Sequence, residues 1–445
     1  MSKNIILFYL AVIILFYFSF IFNYHPYIEG DTKVLAESSY KIYHCLQNHQ
    51  FNYCPGIAHF PLLQHIISLP FYLINPSLVN NLNSLTFINL FSFCLSSLIL
   101  FRFLQKNTSL KIALLGLLIF LTGFNLYYAY SSFNESFSSL LILIFLVVNL
   151  ETKPHWFRIF FLTISAGLSK EIIWPILLLI STTAQLVKGT SFKKYLQSIN
   201  PVIIGTIVSV LCTGAFNLYR YQTLTNSLLL NPILMVDNLH DYISFFFGLF
   251  FSTSGGLLFF WPSLFVLIIF SLVSTVRKTP LFFLNLLVLS VLIIQNAGLA
   301  KWFAPFGWIA WGPRLTLPIL PSILLLFLLI NHKKINLIIQ NIYSSKLLTT
   351  FTFLFFLITG ISNYAMLFFP QQSLNQLFAP SPNFPHPAVI QQDKIYYYRA
   401  VNELIWKKNQ ILPKNIIGIT KLNIITTVPY FLLLSLLFFK LKKAK

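Results

Sequence analysis

The sequence has 445 residues, of which 57% are hydrophobic and only 9% are charged, and its mean hydropathy is +0.76. Soluble domains carry about 25% charged residues, so this chain cannot cover a water-facing surface of ordinary size and must be solvated mostly by lipid. The formal net charge of +20 does not indicate a nucleic-acid surface, because the basic residues lie in short runs between apolar segments, as the positive-inside rule expects.

Apolar segments close to the roughly 20 residues that cross a bilayer recur along the whole chain. They predict an all-α integral membrane protein with about 12 transmembrane helices, built as one transmembrane domain over residues 1–445. The predicted spans cover about 4–22, 82–104, 110–127, 133–150, 156–169, 171–187, 199–218, 257–276, 280–298, 313–331, 347–367 and 425–440.

The distribution of charge predicts the orientation of these spans. With cytoplasmic termini, 18 of the 30 basic residues fall on the inside, whereas Glu151 is the one acidic residue of ten that does so. Because acidic residues contribute little to topology, their concentration outside needs another cause, and an extracytoplasmic site is one candidate. The three long loops at 23–81, 219–256 and 368–424 are then extracytoplasmic.

The first of these loops, 23–81, contains two predicted interfacial helices. Leu35, Ile42 and Leu46 form one apolar stripe of an amphipathic helix. The apolar piece that follows Pro61 is expected to lie at the interface, because counting it as a span would break the alternation of charge. Two of the four cysteines, Cys45 and Cys54, are nine positions apart in this loop and could pair in an oxidising compartment.

Two carboxylates stand directly after the first span, in Glu29-Gly30-Asp31. At the boundary of lipid and water, such a group could act as general base towards a hydroxyl or help to hold a metal ion. The alternative is that Asp31 only caps the helix that starts near Thr32. A divalent metal is compatible with these residues but is not required by the sequence, and no His/Cys spacing matches a zinc site.

Several basic residues at outer span ends are candidate phosphate contacts. In Trp311-Gly312-Pro313-Arg314, proline suits the first turn of a helix, so Arg314 should lie at the outer start of the tenth span. A phosphate could bind both its guanidinium and the helix end; the alternative is an arginine that snorkels to the interface. Lys170, in the turn between spans five and six, is a second candidate, and a plain polar turn is its alternative. The further candidates are Glu135, Arg220 and Lys301.

Taken in order, these segments resemble the multi-spanning GT-C glycosyltransferases, close to the family-39-like and protein-mannosyltransferase-like enzymes. The resemblance extends over about residues 1–330. It is carried by Glu29-Gly30-Asp31, by Tyr40 and Tyr43, by His59-Phe60-Pro61-Leu62, by Gly167-Leu168-Ser169-Lys170-Glu171, by Phe216-Asn217-Leu218-Tyr219-Arg220-Tyr221, by Ser254-Gly255-Gly256 with Trp261-Pro262, and by Trp311-Gly312-Pro313-Arg314 with Leu317-Pro318-Ile319-Leu320-Pro321.

The resemblance implies transfer of a sugar, with inversion, from a polyprenyl-phosphate-linked donor to an extracytoplasmic lipid, glycan or protein. Asp31 would be the catalytic carboxylate, Glu29 would support it, and Arg314 and Lys170 would hold the phosphate. The resemblance also implies a bacterial inner membrane with the active site facing the periplasm or exterior. The alternatives left open are a transporter or flippase of lipid-linked saccharides and an O-antigen ligase or polymerase.

Overall fold

The computed structural model describes residues 31–58, 60–74, 78–131, 133–151, 155–226, 235–252, 255–276, 279–302, 312–365 and 421–443. The helices, numbered in chain order, are α1 (Asp31–Gln47), α2 (Leu62–Ile74), α3 (Leu78–Asn107), α4 (Leu110–Leu121), α5 (Asn125–Ala129), α6 (Glu135–Leu150), α7 (Trp156–Ser169), α8 (Trp174–Val187), α9 (Phe192–Tyr221), α10 (Leu239–Phe251), α11 (Leu257–Phe260), α12 (Pro262–Thr275), α13 (Thr279–Ala300), α14 (Leu320–Ser344), α15 (Lys346–Ala365) and α16 (Lys421–Lys443). Two 3₁₀ segments, Glu171–Ile173 and Arg314–Ile319, precede α8 and α14.

The prediction of an all-α membrane protein is confirmed. Eleven of the twelve predicted spans coincide with helices, and the first, at 4–22, lies outside the described residues, as does most of the predicted loop 368–424. Within the described chain no strand occurs, apart from an isolated antiparallel bridge between Met235 and Trp302. Among the described residues, the helices long and apolar enough to cross a membrane are Leu85–Asn107, Phe192–Tyr221, Pro280–Ala300 and Arg314–Ser344, and eight further apolar helices have 10–17 residues.

The third predicted span is wrong in one respect: α4 ends at Leu121 and the chain continues as the short α5. A helix end leaves backbone carbonyls without partners, which lipid cannot satisfy. Side chains from distant segments of the chain satisfy them here. Trp261 Nε1 donates to the Ile119 carbonyl (2.8 Å), Tyr430 Oη to that of Leu121 (2.8 Å) and Asn363 Nδ2 to that of Thr122 (2.9 Å).

Glycine is required at position 123, directly after the end of α4. A Cβ atom at Gly123 would overlap the buried ring of Trp261. The indole of Trp261 therefore reaches the Ile119 carbonyl only because Gly123 has no side chain. The break in α4 is thus a packed and hydrogen-bonded joint.

The predicted amphipathic helix in the first loop is α1. Leu35 and Ile42 are buried as expected, but Leu46 is 40% exposed, because the helix ends one residue later and the chain turns away at His49, whose φ is 56°. Helix α2 has only 13 residues, too few to span a bilayer, as expected of an interfacial helix.

Two further features belong to the outer segments. The pairing of Cys45 and Cys54, which the sequence left open, is present as a disulfide bond with 5.9 Å between the Cα atoms. The loop predicted at 219–256 contains α10, an apolar helix of 13 residues that the sequence reading treated as part of a connection.

We expect Tyr430→Phe to lower the stability of the protein by roughly 1 kcal/mol, because it removes a donor from a buried backbone carbonyl. The measurement is the midpoint of thermal unfolding in detergent. Tyr53→Phe is the matched control, since Tyr53 is 41% exposed and should unfold like the wild type. Equal midpoints for both variants would contradict this account of the joint after α4.

Candidate functional site

The site is centred on Glu135, the first residue of α6, whose side chain is 2% exposed. Lys170 Nζ lies 3.0 Å and Arg314 Nε lies 3.6 Å from the same Oε1 atom. A carboxylate is favoured at a helix N-terminus because it complements the helix dipole. Three candidates that are far apart in the sequence therefore meet in one buried cluster, which we call the charge cluster.

Hydrogen bonds from two asparagine side chains to backbone carbonyls hold the chain around Glu135 in place. Asn134 Nδ2 donates to the Ser169 carbonyl (2.7 Å), which joins the start of α6 to the end of α7, one residue before Lys170. The Asn89 amide on α3 donates to the carbonyls of Ser131 (2.7 Å) and Phe133. These bonds fix the chain on both sides of Glu135.

Arg314 is placed by the turn that precedes it and by the packing of its own segment. Gly312 has a φ of 71°, a conformation that favours glycine, and the 3₁₀ segment begins two residues later. Ser139 Oγ on α6 donates to the Leu317 carbonyl (3.0 Å). The guanidinium lies 4.2 Å from the ring centroid of Phe133, and Arg314 is 5% exposed.

In the described chain, the charge cluster brings two cationic side chains to one carboxylate. Buried charges are expensive unless they are paired, and Glu135 is an acidic partner that Lys170 and Arg314 share. Glu135 Oε2 is buried and accepts no hydrogen bond from the part of the chain that the structure describes. The cluster therefore offers two cationic groups to an anion and a carboxylate oxygen to a hydroxyl donor.

Arg220, another predicted phosphate contact, is directed elsewhere. Its side chain has no solvent exposure and lies 4.6 Å from the ring centroids of both Phe216 and Tyr221. Its donors bind backbone carbonyls and a side-chain amide, and Glu171 Oε1 is 3.7 Å from Nη2.

None of the contacts described for Lys301 joins it to the charge cluster. Lys301 is exposed, and its Nζ lies 5.3 Å from the ring centroid of Tyr242. Asp31 is the first residue of α1, and Glu29 lies outside the described residues. Among the described residues, no group of three His, Cys, Asp or Glu side chains could hold a metal ion.

The sequence analysis missed the residues that arrange the charge cluster. Asn89 and Asn134 hold the backbone around Glu135, and Phe133 carries the guanidinium of Arg314. The sequence did contain a signal for Asn89, because a polar amide inside an apolar span needs a hydrogen-bond partner within the protein and therefore marks a specific contact. Asn89, Phe133 and Asn134 also line a pocket beside the charge cluster. The complete lining is Gln64, Ile67, Leu85, Ile88, Asn89, Phe133, Asn134, Phe137 and Ser169.

No protein-family model and no curated protein sequence matches this chain. Among solved structures, it is similar to the crystal structure of ArnT from Cupriavidus metallidurans bound to undecaprenyl phosphate, with 11% sequence identity and a TM-score of 0.53 over 99% of this chain and 78% of that chain. The crystal structure of the same protein in the apo state gives 12% identity and a TM-score of 0.47 over 99% of this chain and 77% of that chain. The chain thus has a fold similar to that of this ArnT structure, which agrees with the multi-spanning all-helical fold predicted from the sequence.

Proposed function

We propose that this protein is a glycosyltransferase that moves a sugar from a polyprenyl-phosphate-linked donor to an extracytoplasmic lipid, glycan or protein. The observation that carries the proposal is the charge cluster, in which Lys170 Nζ and Arg314 Nε lie 3.0 and 3.6 Å from the same oxygen of Glu135. The similar structure of ArnT has undecaprenyl phosphate bound, which supports a polyprenyl phosphate as the partner of this cluster.

Lys170 and Arg314 suit the phosphate of such a donor. The guanidinium presents a planar fork of donors that can bind two phosphate oxygens, and it packs on the ring of Phe133. The ammonium of Lys170 adds a second charge 3.0 Å from the shared Glu135 oxygen. When the bond between the sugar and the phosphate breaks, both cations stabilise the charge on the departing polyprenyl phosphate.

Three carboxylates are available for the sugar and the acceptor in this proposal. Asp31, at the start of α1, takes the proton from the acceptor hydroxyl as that oxygen attacks the sugar carbon. Glu29 supports it. Glu135 Oε2 accepts a hydrogen bond from a donor hydroxyl, since it has no such bond within the described chain. The sugar then passes to the acceptor with inversion, and the polyprenyl phosphate leaves.

The reaction is proposed to take place on the extracytoplasmic side. The disulfide between Cys45 and Cys54 supports this orientation for the first loop, because disulfides persist in oxidising compartments. The excess of basic residues in the predicted inner loops agrees with it. For a bacterial cell, the site would face the periplasm or the exterior.

The position of the charge cluster favours an enzyme over a transporter of lipid-linked saccharides. A transporter should hold its ionisable groups near the middle of its spans. In the described chain, Glu135 is the first residue of α6, Lys170 follows the last residue of α7, and Arg314 begins the 3₁₀ segment that precedes α14. All three thus stand at helix ends, where the head group of a membrane-bound donor would lie.

We expect a cysteine at the exposed position Asn48 to react with a membrane-impermeant maleimide in intact cells, in a background where Cys94 and Cys212 are replaced by serine. A cysteine at the exposed Ser344 is the control and should react only after permeabilisation, because α14 ends on the predicted inner side. Labelling of Asn48→Cys only after permeabilisation would overturn the orientation and, with it, the site.

We expect Arg314→Ala to weaken binding of undecaprenyl phosphate more than Arg314→Lys, which restores the charge but not the fork. Loss of a hydrogen bond to a charged group costs about 1.5–3 kcal/mol, or about 10- to 150-fold in Kd. The measurement is a binding titration of purified protein, with the exposed Arg158→Ala as control. A folded Arg314→Ala variant with wild-type affinity and transfer kinetics would leave this residue a packing role only.

We expect Asp31→Asn to lower the rate of sugar transfer by about 10²–10⁴-fold, as for other general bases, while the protein accumulates normally. Asparagine caps a helix about as well as aspartate, so a capping role alone would leave transfer unchanged. Asp237→Asn, at an exposed position, is the control. Near-normal transfer by Asp31→Asn with an inactive Glu29→Gln would assign the base to Glu29, and activity in both would remove this loop from the chemistry.

A further inference from the structure

Arg220, near the end of α9, uses its guanidinium completely within the protein. An arginine has five N–H donors. Nη1 donates to the carbonyls of Ala58 and Phe60 (both 2.8 Å), and Nε and Nη2 donate to Asn217 Oδ1 (3.1 and 2.7 Å). The last N–H on Nη2 lies on the side of Glu171, whose Oε1 is 3.7 Å from that nitrogen. A phosphate would have to displace one of these partners.

Ala58 connects this guanidinium to α1. The Ala58 carbonyl accepts from Arg220, and its N–H donates to Ser38 Oγ on α1 (2.9 Å). The neighbouring residue Tyr219 accepts at its carbonyl from the Cys54 N–H (2.9 Å). Since Cys54 is bonded to Cys45 at the end of α1, the helix that begins at Asp31 is tied to the end of α9 at two places.

The guanidinium also lies near the turn that carries Lys170, because Glu171 Oε1 is 3.7 Å from Arg220 Nη2. Glu171 follows Lys170 directly and belongs to the same turn between α7 and α8. Lys170 in turn pairs with Glu135 (3.0 Å). One buried side chain is therefore in contact both with the segment that carries α1 and with the turn that carries a proposed phosphate contact.

We infer that Arg220 is a positioning residue that fixes α1, and with it the proposed catalytic carboxylate, relative to Lys170 and Arg314. The inference rests on the proposed function and reassigns Arg220 from a phosphate contact to a brace. Lysine cannot replace it, because a single ammonium nitrogen cannot reach the Ala58 and Phe60 carbonyls and the Asn217 amide at the same time. A brace of this kind acts on the rate of reaction, since a displacement of about 1 Å between reacting groups can reduce the rate by about 10²-fold.

The first test is a comparison of binding and turnover in Arg220→Lys, which keeps the charge beside Glu171. We expect turnover of undecaprenyl-phosphate-linked sugars in native membrane vesicles to fall by about 10²-fold, while Kd for undecaprenyl phosphate stays within about twofold of the wild type. Arg158→Lys, on the exposed face of α7, should change neither. A loss of affinity with retained turnover at saturation would make Arg220 a phosphate contact and overturn the inference, as would wild-type behaviour in both assays.

The second test needs no substrate and separates the brace from the proposed function. Ser38→Ala removes the acceptor of the Ala58 N–H. Like Arg220→Lys, it should loosen the connection between α1 and the end of α9. In both variants a water-soluble phosphine should reduce the Cys45–Cys54 disulfide about tenfold faster, because the loop opens more often. Unchanged reduction rates in both variants would overturn the brace. Faster reduction in a protein whose wild type neither binds nor consumes the lipid would leave the brace standing and overturn the proposed glycosyltransferase.

Discussion

The absence of water in the bilayer is the constraint on which the rest of this structure depends. Every backbone group that a helix leaves unpaired needs a partner from the protein itself. The end of α4 meets this demand with an indole, a phenol and an amide from three other segments of the chain. The same demand explains why polar side chains that are far apart in the sequence converge inside an apolar bundle. The bundle is therefore held together by specific hydrogen bonds as well as by packing.

The same constraint acts on charge. An unpaired cation in a low-dielectric interior is costly, so Lys170 and Arg314 are found around the carboxylate of Glu135. In the described chain, the cluster gathers Lys170, Arg314 and Glu135 at one place. Asn89 and Asn134 hold the chain around it, and such preorganisation is what gives fixed charges their effect on a reaction.

The outer segment that contains α1 and α2 is organised in a second way, by covalent and hydrogen-bonded links. Helices α1 and α2 are predicted to lie outside the bilayer core, and they are fixed by a disulfide, by Arg220 and by hydrogen bonds such as that from Tyr72 Oη to the Ala36 carbonyl (2.6 Å). The two hydrogen-bonded links join positions that are distant in sequence. The segment thus has the rigidity that a site built partly on an outer loop requires.

The sequence by itself determined the class of protein and eleven of the twelve predicted spans, which coincide with described helices, because hydropathy and helix length are local properties that depend on few neighbours. It also determined that Lys170 and Arg314 stand at span ends. Only the tertiary structure decided that both share Glu135, that Arg220 is directed at the first loop, and that α4 breaks beside Trp261. These are contacts between side chains separated by tens to hundreds of residues, and their geometry follows from the packing of several helices at once, which no local pattern encodes.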